Sequence, residues 1–284
     1  FHISMASRTS YNDEAGRKIQ AAWRDDADIL QCKHQLKKSS VSYSEGGREL
    51  MGEACWPDVG NQKMPAVLLV HTAVGLQEDF MRWKLEAVAS LGFVAFGADM
   101  FGTGRALWDR EEALEARREL VCDRRRMIDR VKAAATTMMS LPQVDPRGFG
   151  ALGFCFGGMA VLDLARSGCM PNLEATVSFH GILDDPDLPD DYGGREGPVP
   201  GEILVCHGED DPFVSSENLN LFLENLKLRK SNFHLQAYPG AKHAFTRPEK
   251  TEPSDFSAGL FYNEQADRDS SERMKGMLRR RLRR

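Results

Sequence analysis

The chain has 284 residues and a formal net charge of -5, so its charge gives no reason to expect nucleic acid or an anionic membrane as a partner. No apolar run is long enough to span a bilayer. Residues 1–4 precede Met5 and are expected to be a vector-derived remnant. No secretory segment follows, and the six cysteines occur singly, without a C-x-x-C pair. We therefore expect reduced thiols, a cytoplasmic location and no metal site.

The first part of the sequence, residues 1–38, is polar and mixed in charge, and we interpret it as an N-terminal extension. Five apolar side chains in it could line one face of a short helix: Ile19, Ala22, Trp23, Ile29 and Leu30. Residues 39–284 are then expected to form a single folded domain.

Strand-like and helix-like segments alternate through that domain. A hairpin is predicted over 41–56, with its turn at Glu45-Gly46-Gly47. Apolar runs predict buried strands over 65–71, 93–99, 147–151, 175–180, 203–207 and 233–238. Helices are predicted over 85–91, 109–140, 159–166, 216–228 and, as an amphipathic C-terminal helix, 270–284. This alternation predicts an α/β fold, a mostly parallel central sheet with helices on both faces.

The segment 152–158, Leu-Gly-Phe-Cys-Phe-Gly-Gly, lies between a predicted strand and a predicted helix. Glycines two residues before and after Cys155 suit a sharp turn that presents the thiol at its tip, as in nucleophile elbows. The N-terminus of the following helix would favour the thiolate. The alternative is a tight turn around an inert cysteine.

A cysteine nucleophile needs a base and a group that orients the base. After an elbow, the expected chain order is nucleophile, acid, histidine. The loop after the strand 203–207 carries Asp210 and Asp211, and we choose Asp211 because Pro212 fixes the backbone next to it. His243 follows the last predicted strand and is the predicted base.

Three motifs together resemble the dienelactone hydrolase family of α/β-hydrolases: Gly153-Phe154-Cys155-Phe156-Gly157-Gly158, His207-Gly208-Glu209-Asp210-Asp211-Pro212 and His243-Ala244-Phe245-Thr246-Arg247. The resemblance implies the α/β-hydrolase fold, a triad of Cys155, Asp211 and His243, and no cofactor. It also implies an oxyanion hole formed by the N–H groups of Phe156 and Ala73.

The resemblance further implies that Arg247 binds a substrate carboxylate, which suits its guanidinium. A second family arginine could correspond to Arg105 or Arg110. Where family members carry a glutamate that contacts the thiol, this sequence has Thr72, so we expect a resting Cys155–His243 ion pair that no neighbouring carboxylate opposes. Thr72 is assigned to substrate binding.

Other histidines and cysteines are given lesser roles. His180 ends a predicted strand and could face the substrate pocket, whereas His71 and His207 are expected to be packed histidines. The remaining cysteines lack an activating context and are expected to be structural: Cys32, Cys55, Cys122, Cys169 and Cys206.

The predicted function is hydrolysis of a small carboxylic ester or lactone through an acyl-enzyme intermediate. One alternative is a thioesterase or general carboxylesterase of the same fold, and another is a non-catalytic ligand-binding or redox-sensing thiol protein. The expected partner is a small-molecule substrate, without nucleic acid or membrane, and the expected state is a monomer or homodimer.

Overall fold

The computed structural model describes residues 13–23, 35–184 and 197–283. Ile29, Leu30, Cys32 and residues 1–4 lie outside these ranges, so the expectations for them stay predictions. Eight strands lie in the described ranges: β1 (Leu36–Glu45), β2 (Arg48–Pro57), β3 (Met64–Val70), β4 (Val94–Ala98), β5 (Val144–Phe154), β6 (Leu173–Phe179), β7 (Glu202–Gly208) and β8 (Asn232–Tyr238).

These strands form a single sheet in the order β1-β2-β4-β3-β5-β6-β7-β8. β2 pairs antiparallel with β1 and β4, and every other pairing is parallel. The carboxyl ends of β3 to β8 therefore lie along one edge, where ligands bind in open α/β sheets.

Eight helices accompany the sheet in the described ranges: α1 (Asp13–Trp23), α2 (Asp79–Ser90), α3 (Arg110–Cys122), α4 (Arg124–Met139), α5 (Phe156–Ser167), α6 (Ser216–Leu228), α7 (Pro253–Ser257) and α8 (Glu264–Leu282). None of these helices combines the length and the apolar character needed to cross a membrane.

The sheet is covered on both faces, as predicted. Along β3 the side chains of Ala66, Leu68 and Val70 join one core, which also contains apolar side chains of α4, α5 and α6. Val67 and Leu69 point to the opposite core, with side chains of α1, α2 and α8. Since successive strand residues face opposite sides, a strand buried on both faces must be apolar throughout.

Two predicted helices differ from the structure. The segment 109–140 is interrupted at Asp123, which ends α3 and whose side chain accepts a hydrogen bond from the Arg126 N–H at the start of α4. The C-terminal helix begins at Glu264, earlier than predicted, because the Asn263 side chain caps it through the Ala266 N–H.

Helix α1 is packed against the domain. Ile19 and Trp23 are fully buried. The Trp23 ring lies 6.1 Å from that of Phe154 and 5.6 Å from that of Phe179, centroid to centroid. Part of the predicted extension therefore contributes to a core, and β1 begins at Leu36, within the range 1–38.

Candidate active site

Cys155 lies at a strained turn between β5 and α5. Its backbone has φ 57° and ψ -117°, a conformation that residues with a side chain rarely adopt. The flanking glycines leave no room for a side chain: a Cβ on Gly153 would lie 2.0 Å from the Gly157 oxygen, and one on Gly157 would lie 2.1 Å from the Val70 oxygen. This crowding holds the half-buried thiol at the carboxyl end of the sheet.

His243 and Asp211 lie on loops at the same edge, after β8 and β7. The imidazole Nδ1 is 2.7 Å from Asp211 Oδ2, and both side chains are buried. The other carboxylate oxygen accepts the Phe213 N–H at 2.9 Å. Asp210, the alternative acid, is exposed. The structure thus brings the three predicted triad residues together, with Asp211 as the partner of His243.

The Cys155 thiol and the His243 imidazole form a hydrogen-bonded pair. Burial alone would raise the pKa of Cys155, but the charge and hydrogen bond of His243 and the Phe156 N–H lower it overall. Burial would lower the pKa of His243, yet the Cys155 thiolate and the Asp211 carboxylate raise it well above its ordinary value. Each charge stabilises the other, which is the arrangement of a thiolate–imidazolium pair.

The oxyanion hole formed by Phe156 and Ala73 stays a prediction, which two features of these residues favour. Phe156 begins α5, and its N–H points to the Cys155 side chain. Ala73 follows β3, and no acceptor among the described residues bonds its N–H. An N–H without an intramolecular acceptor is available to bind a developing oxyanion.

Thr72 and Arg247 meet in a buried cluster that contains a residue missed in the sequence. Thr72 Oγ1 donates to Glu78 Oε1 at 2.5 Å, and Arg247 Nη2 donates to Glu78 Oε2 at 2.7 Å. Arg247 also pairs with Glu249 at 2.6 Å and lies 3.3 Å from Thr72 Oγ1. A buried carboxyl, that of Glu78, therefore lies next to Thr72.

No local sequence pattern marks Glu78, which lies immediately before α2 in the loop that follows β3. Burial raises the pKa of Glu78, although the Arg247 charge and the Thr72 hydrogen bond oppose the rise.

His180 lies next to His243 and is fully buried. Its ring centroid is 5.2 Å from that of His243, and its Nε2 is 2.8 Å from Thr246 Oγ1. Burial and the nearby charge of His243 hold its pKa well below the ordinary value, so it is neutral. A direct substrate contact through His180 stays a prediction.

Arg117 on α3 is a further residue that the sequence did not single out. Its positive charge contributes to lowering the pKa of Cys155. Arg105, one of the two proposed positions for a second arginine, instead pairs with Glu112 at the surface.

His71 and His207, the other two histidines at strand ends, lie at the carboxyl ends of β3 and β7. The Met100 N–H donates to His71 Nε2 at 3.1 Å. Nδ1 therefore carries the proton and donates to the backbone carbonyl oxygen of Thr72 at 2.6 Å. His207 is buried at the start of the loop that carries Asp211. Within residues 13–23, 35–184 and 197–283, no three His, Cys, Asp or Glu side chains are grouped to hold a metal ion.

Comparison with known proteins identifies the family. Residues 54–282 match the dienelactone hydrolase family. The uncharacterized protein K02A2.1 of Caenorhabditis elegans is 34% identical over 147 residues, which cover 50% of this chain and 85% of that protein. The carboxymethylenebutenolidase homolog of Rattus norvegicus is 25% identical over 194 residues, 67% of this chain and 75% of that protein.

Solved structures agree with this match. The structure called m3DLH superposes with a TM-score of 0.79 at 32% identity, covering 87% of this chain and 99% of that one. The dienelactone hydrolase-like promiscuous phosphotriesterase P91, from metagenomic libraries, gives 0.79 at 30% identity with the same coverage. The predicted fold and family are thereby confirmed: the chain belongs to the dienelactone hydrolase family and is a carboxylic ester hydrolase with the α/β-hydrolase fold.

Proposed function

We propose that the protein hydrolyses small carboxylic esters or lactones through a Cys155 acyl-enzyme, with His243 and Asp211 completing the triad. One observation carries the proposal: a half-buried thiol with a lowered pKa, at a strained elbow, is paired with a histidine whose Nδ1 lies 2.7 Å from a buried carboxylate. A nucleophile, a base and a group that orients the base are together what acyl transfer needs.

In the first half of the reaction, the Cys155 thiolate attacks the carbonyl carbon, and the Phe156 and Ala73 N–H groups bind the resulting oxyanion. The C–O bond to the leaving group then breaks, and the imidazolium of His243 gives its proton to the departing oxygen. In the second half, neutral His243 takes a proton from water, and the hydroxide attacks the thioester. The carboxylic acid leaves, and the thiolate–imidazolium pair is restored.

Arg247 is proposed to select substrates that carry a carboxylate. Its guanidinium is already paired with Glu78 and Glu249, so a substrate anion would share or exchange one of these partners. Arg247→Ala should raise KM for an anionic lactone far more than for a neutral ester. Equal effects on both substrates would assign Arg247 to structure alone.

The test of the covalent mechanism is a trapped intermediate. Wild-type protein mixed with p-nitrophenyl acetate should release a burst of nitrophenol and acquire one acetyl group on the peptide that contains Cys155. Cys155→Ala should show neither the burst nor the acetylated peptide. Turnover by a folded Cys155→Ala protein would contradict the mechanism.

The half-buried thiol with its lowered pKa also favours a second candidate, a redox-sensing thiol. The thiolate would attack a peroxide oxygen, and the O–O bond would break to leave a sulfenic acid and hydroxide. Oxidation of Cys155 by peroxide together with no turnover of any ester or lactone would favour this candidate. The expected partner is a small-molecule ester or lactone, without nucleic acid or membrane, and the monomeric or homodimeric state stays a prediction.

A further inference from the structure

His180, which directly follows β6, is a buried side chain to which the proposed mechanism gives no part. Its φ of 39° lies in the left-handed region, which a residue with a side chain adopts at a cost. Its Nδ1 is buried without a hydrogen-bond partner among the described residues. Strain and an unpaired buried nitrogen both cost stability, so the retention of a histidine here points to a role at the site.

The ring of His180 contacts the turn that carries His243. This turn, residues 243–247, follows β8, and we call it the histidine turn. The centroid of the His180 ring lies 5.2 Å from that of His243 and 5.2 Å from that of Phe245, both edge to face. The Nε2 of His180 is 2.8 Å from the Oγ1 of Thr246, which is fully buried. One side chain at the end of the sheet thus contacts three residues of the histidine turn.

His180 is itself fixed to the sheet. Its backbone N–H donates to the carbonyl oxygen of Cys206 on β7 at 2.9 Å. The histidine turn, in contrast, lies outside the sheet strands and contains Ala244, whose φ is 62°. A contact from the sheet end therefore joins a strained turn to a rigid support.

The imidazole of His243 needs such a support because its bond to Asp211 is made through a single atom. The 2.7 Å contact with Asp211 Oδ2 fixes the position of Nδ1. One hydrogen bond leaves the ring free to tilt about that atom, whereas an edge-to-face contact with a second ring restricts the tilt. The His180 ring provides this second contact.

We propose that His180 is a positioning residue for His243: through Thr246 it holds the histidine turn on the sheet, and through its ring it keeps the imidazole aimed at Cys155. The inference rests on the proposed function, in which His243 is the base. In this role His180 acts through His243 and needs no contact with the substrate.

The test removes the hydrogen bond from either side. Thr246→Val keeps the shape of the side chain and loses the hydroxyl, whereas Thr246→Ser keeps the hydroxyl. His180→Phe keeps a ring against the histidine turn and loses the nitrogen that faces Thr246. Each full-length variant is measured for kcat/KM with p-nitrophenyl acetate, a neutral ester, and for the pH profile of Cys155 alkylation by iodoacetamide.

Thr246→Val should lower kcat/KM about 10- to 100-fold, because displacement of a catalytic group by about 1 Å can cost on the order of 10²-fold. The alkylation profile should move to higher pH, since a displaced imidazolium stabilises the Cys155 thiolate less. His180→Phe should act in the same direction, and Thr246→Ser should restore both measurements. The double variant should be about as active as the weaker single variant, because both substitutions break the same bond.

The matched control is Thr176→Val on β6. Thr176 is also a buried threonine, and its hydroxyl has no partner among the described residues. This variant should reproduce the wild-type kcat/KM and alkylation profile. Should His180→Phe fail to fold, the two Thr246 variants decide alone.

A purely structural role would lower the urea midpoint of Thr246→Val and leave the alkylation profile of the folded protein unchanged, and that result would overturn the proposal. Losses that multiply in the double variant would overturn it as well. Failure of the proposed function would appear separately, as absence of ester turnover in the wild type while the alkylation profile still responds to Thr246→Val.

Discussion

The pairing of Cys155 with His243 is the residue-scale feature on which the proposed chemistry depends. A free cysteine, with a pKa near about 8.5, is only a few per cent thiolate at neutral pH. In this site burial works against the thiolate, and the charge and hydrogen bond of His243 together with the Phe156 N–H and the Arg117 charge outweigh it. The reactivity of Cys155 should therefore depend on His243 even when no substrate is bound.

Alkylation measures this dependence. In wild type, Cys155 should react quickly with iodoacetamide well below pH 8. In His243→Gln the cation is lost and burial dominates, so the pH profile should move upward, to or above that of a free cysteine. Cys122 is exposed and serves as an internal reference in both proteins. Identical profiles would mean that the thiolate forms only when substrate binds.

The choice between neighbouring acids is testable with a matched pair. Asp211→Asn should lower kcat/KM by about 10²- to 10⁴-fold, because the amide cannot hold the same imidazole tautomer or stabilise its charge. Asp210→Asn changes an exposed side chain and should leave the rate almost unaltered. A larger loss at Asp210 would overturn the assignment of the acid.

Glu78 should contribute to stability as well as to the site. Glu78→Gln removes the buried charge that faces Arg247 but leaves Glu249, so we expect a loss of about 1–3 kcal/mol in the free energy of unfolding in urea. Glu264→Gln, in an exposed pair with Arg268, should change it by less than about 0.5 kcal/mol. Equal small changes would show that Glu78 is neutral and unpaired in solution.

At the scale of elements, helix α8 covers β5 and β6 on the face that also holds α1. Leu278 is fully buried, and its Cδ2 would lie 2.9 Å from a Cβ placed on Gly150 of β5. Salt bridges from Arg280 to Glu202 and from Arg281 to Glu174 fix the same helix to β7 and β6. Arg280 and Arg281 near the end of α8 therefore have a structural role.

Two substitutions on α8 should have opposite signs. Leu278→Ala leaves a cavity and should cost about 2–5 kcal/mol in the free energy of unfolding. Gly276→Ala, where no atom lies within 4 Å of the added Cβ, should stabilise the protein by about 0.4–1 kcal/mol. Both are measured by chemical denaturation, and a stabilising Leu278→Ala would contradict the packing described.

Sequence patterns predicted the elements that have a regular apolar pattern. β3 and the helix α6 (Ser216–Leu228) were predicted to within about a residue, because an apolar run or a helical period leaves little choice. The break at Asp123 was not predicted, since no glycine or proline marks it and the break depends on how α3 and α4 pack.

The same distinction holds at the site. The triad residues could be chosen because each follows a strand in a fixed chain order. Glu78 could not, because its contact with Thr72 and Arg247 depends on where α2 begins and on a residue 169 positions away in the chain. Pairing across such distances is set by tertiary packing, which leaves no local pattern.

At the scale of the whole molecule, the two cores on either side of the sheet pack against different parts of the site. The core on one face contains α4, α5 and α6 side chains and the flank of the elbow. The other contains Trp23, Phe154 and Phe179 and lies beneath His180.

The cytoplasmic location predicted from the sequence remains a prediction.

The turn at Cys155 also has an evolutionary consequence. A backbone with φ 57° at a residue with a side chain costs on the order of 1–3 kcal/mol, and only glycine adopts it freely. Cys155→Gly should therefore melt at a higher temperature than Cys155→Ala, which keeps the Cβ, although both lack the thiol. In a lineage released from selection for hydrolysis, a change to glycine at this position would remove the thiol and raise the stability of the fold at the same time.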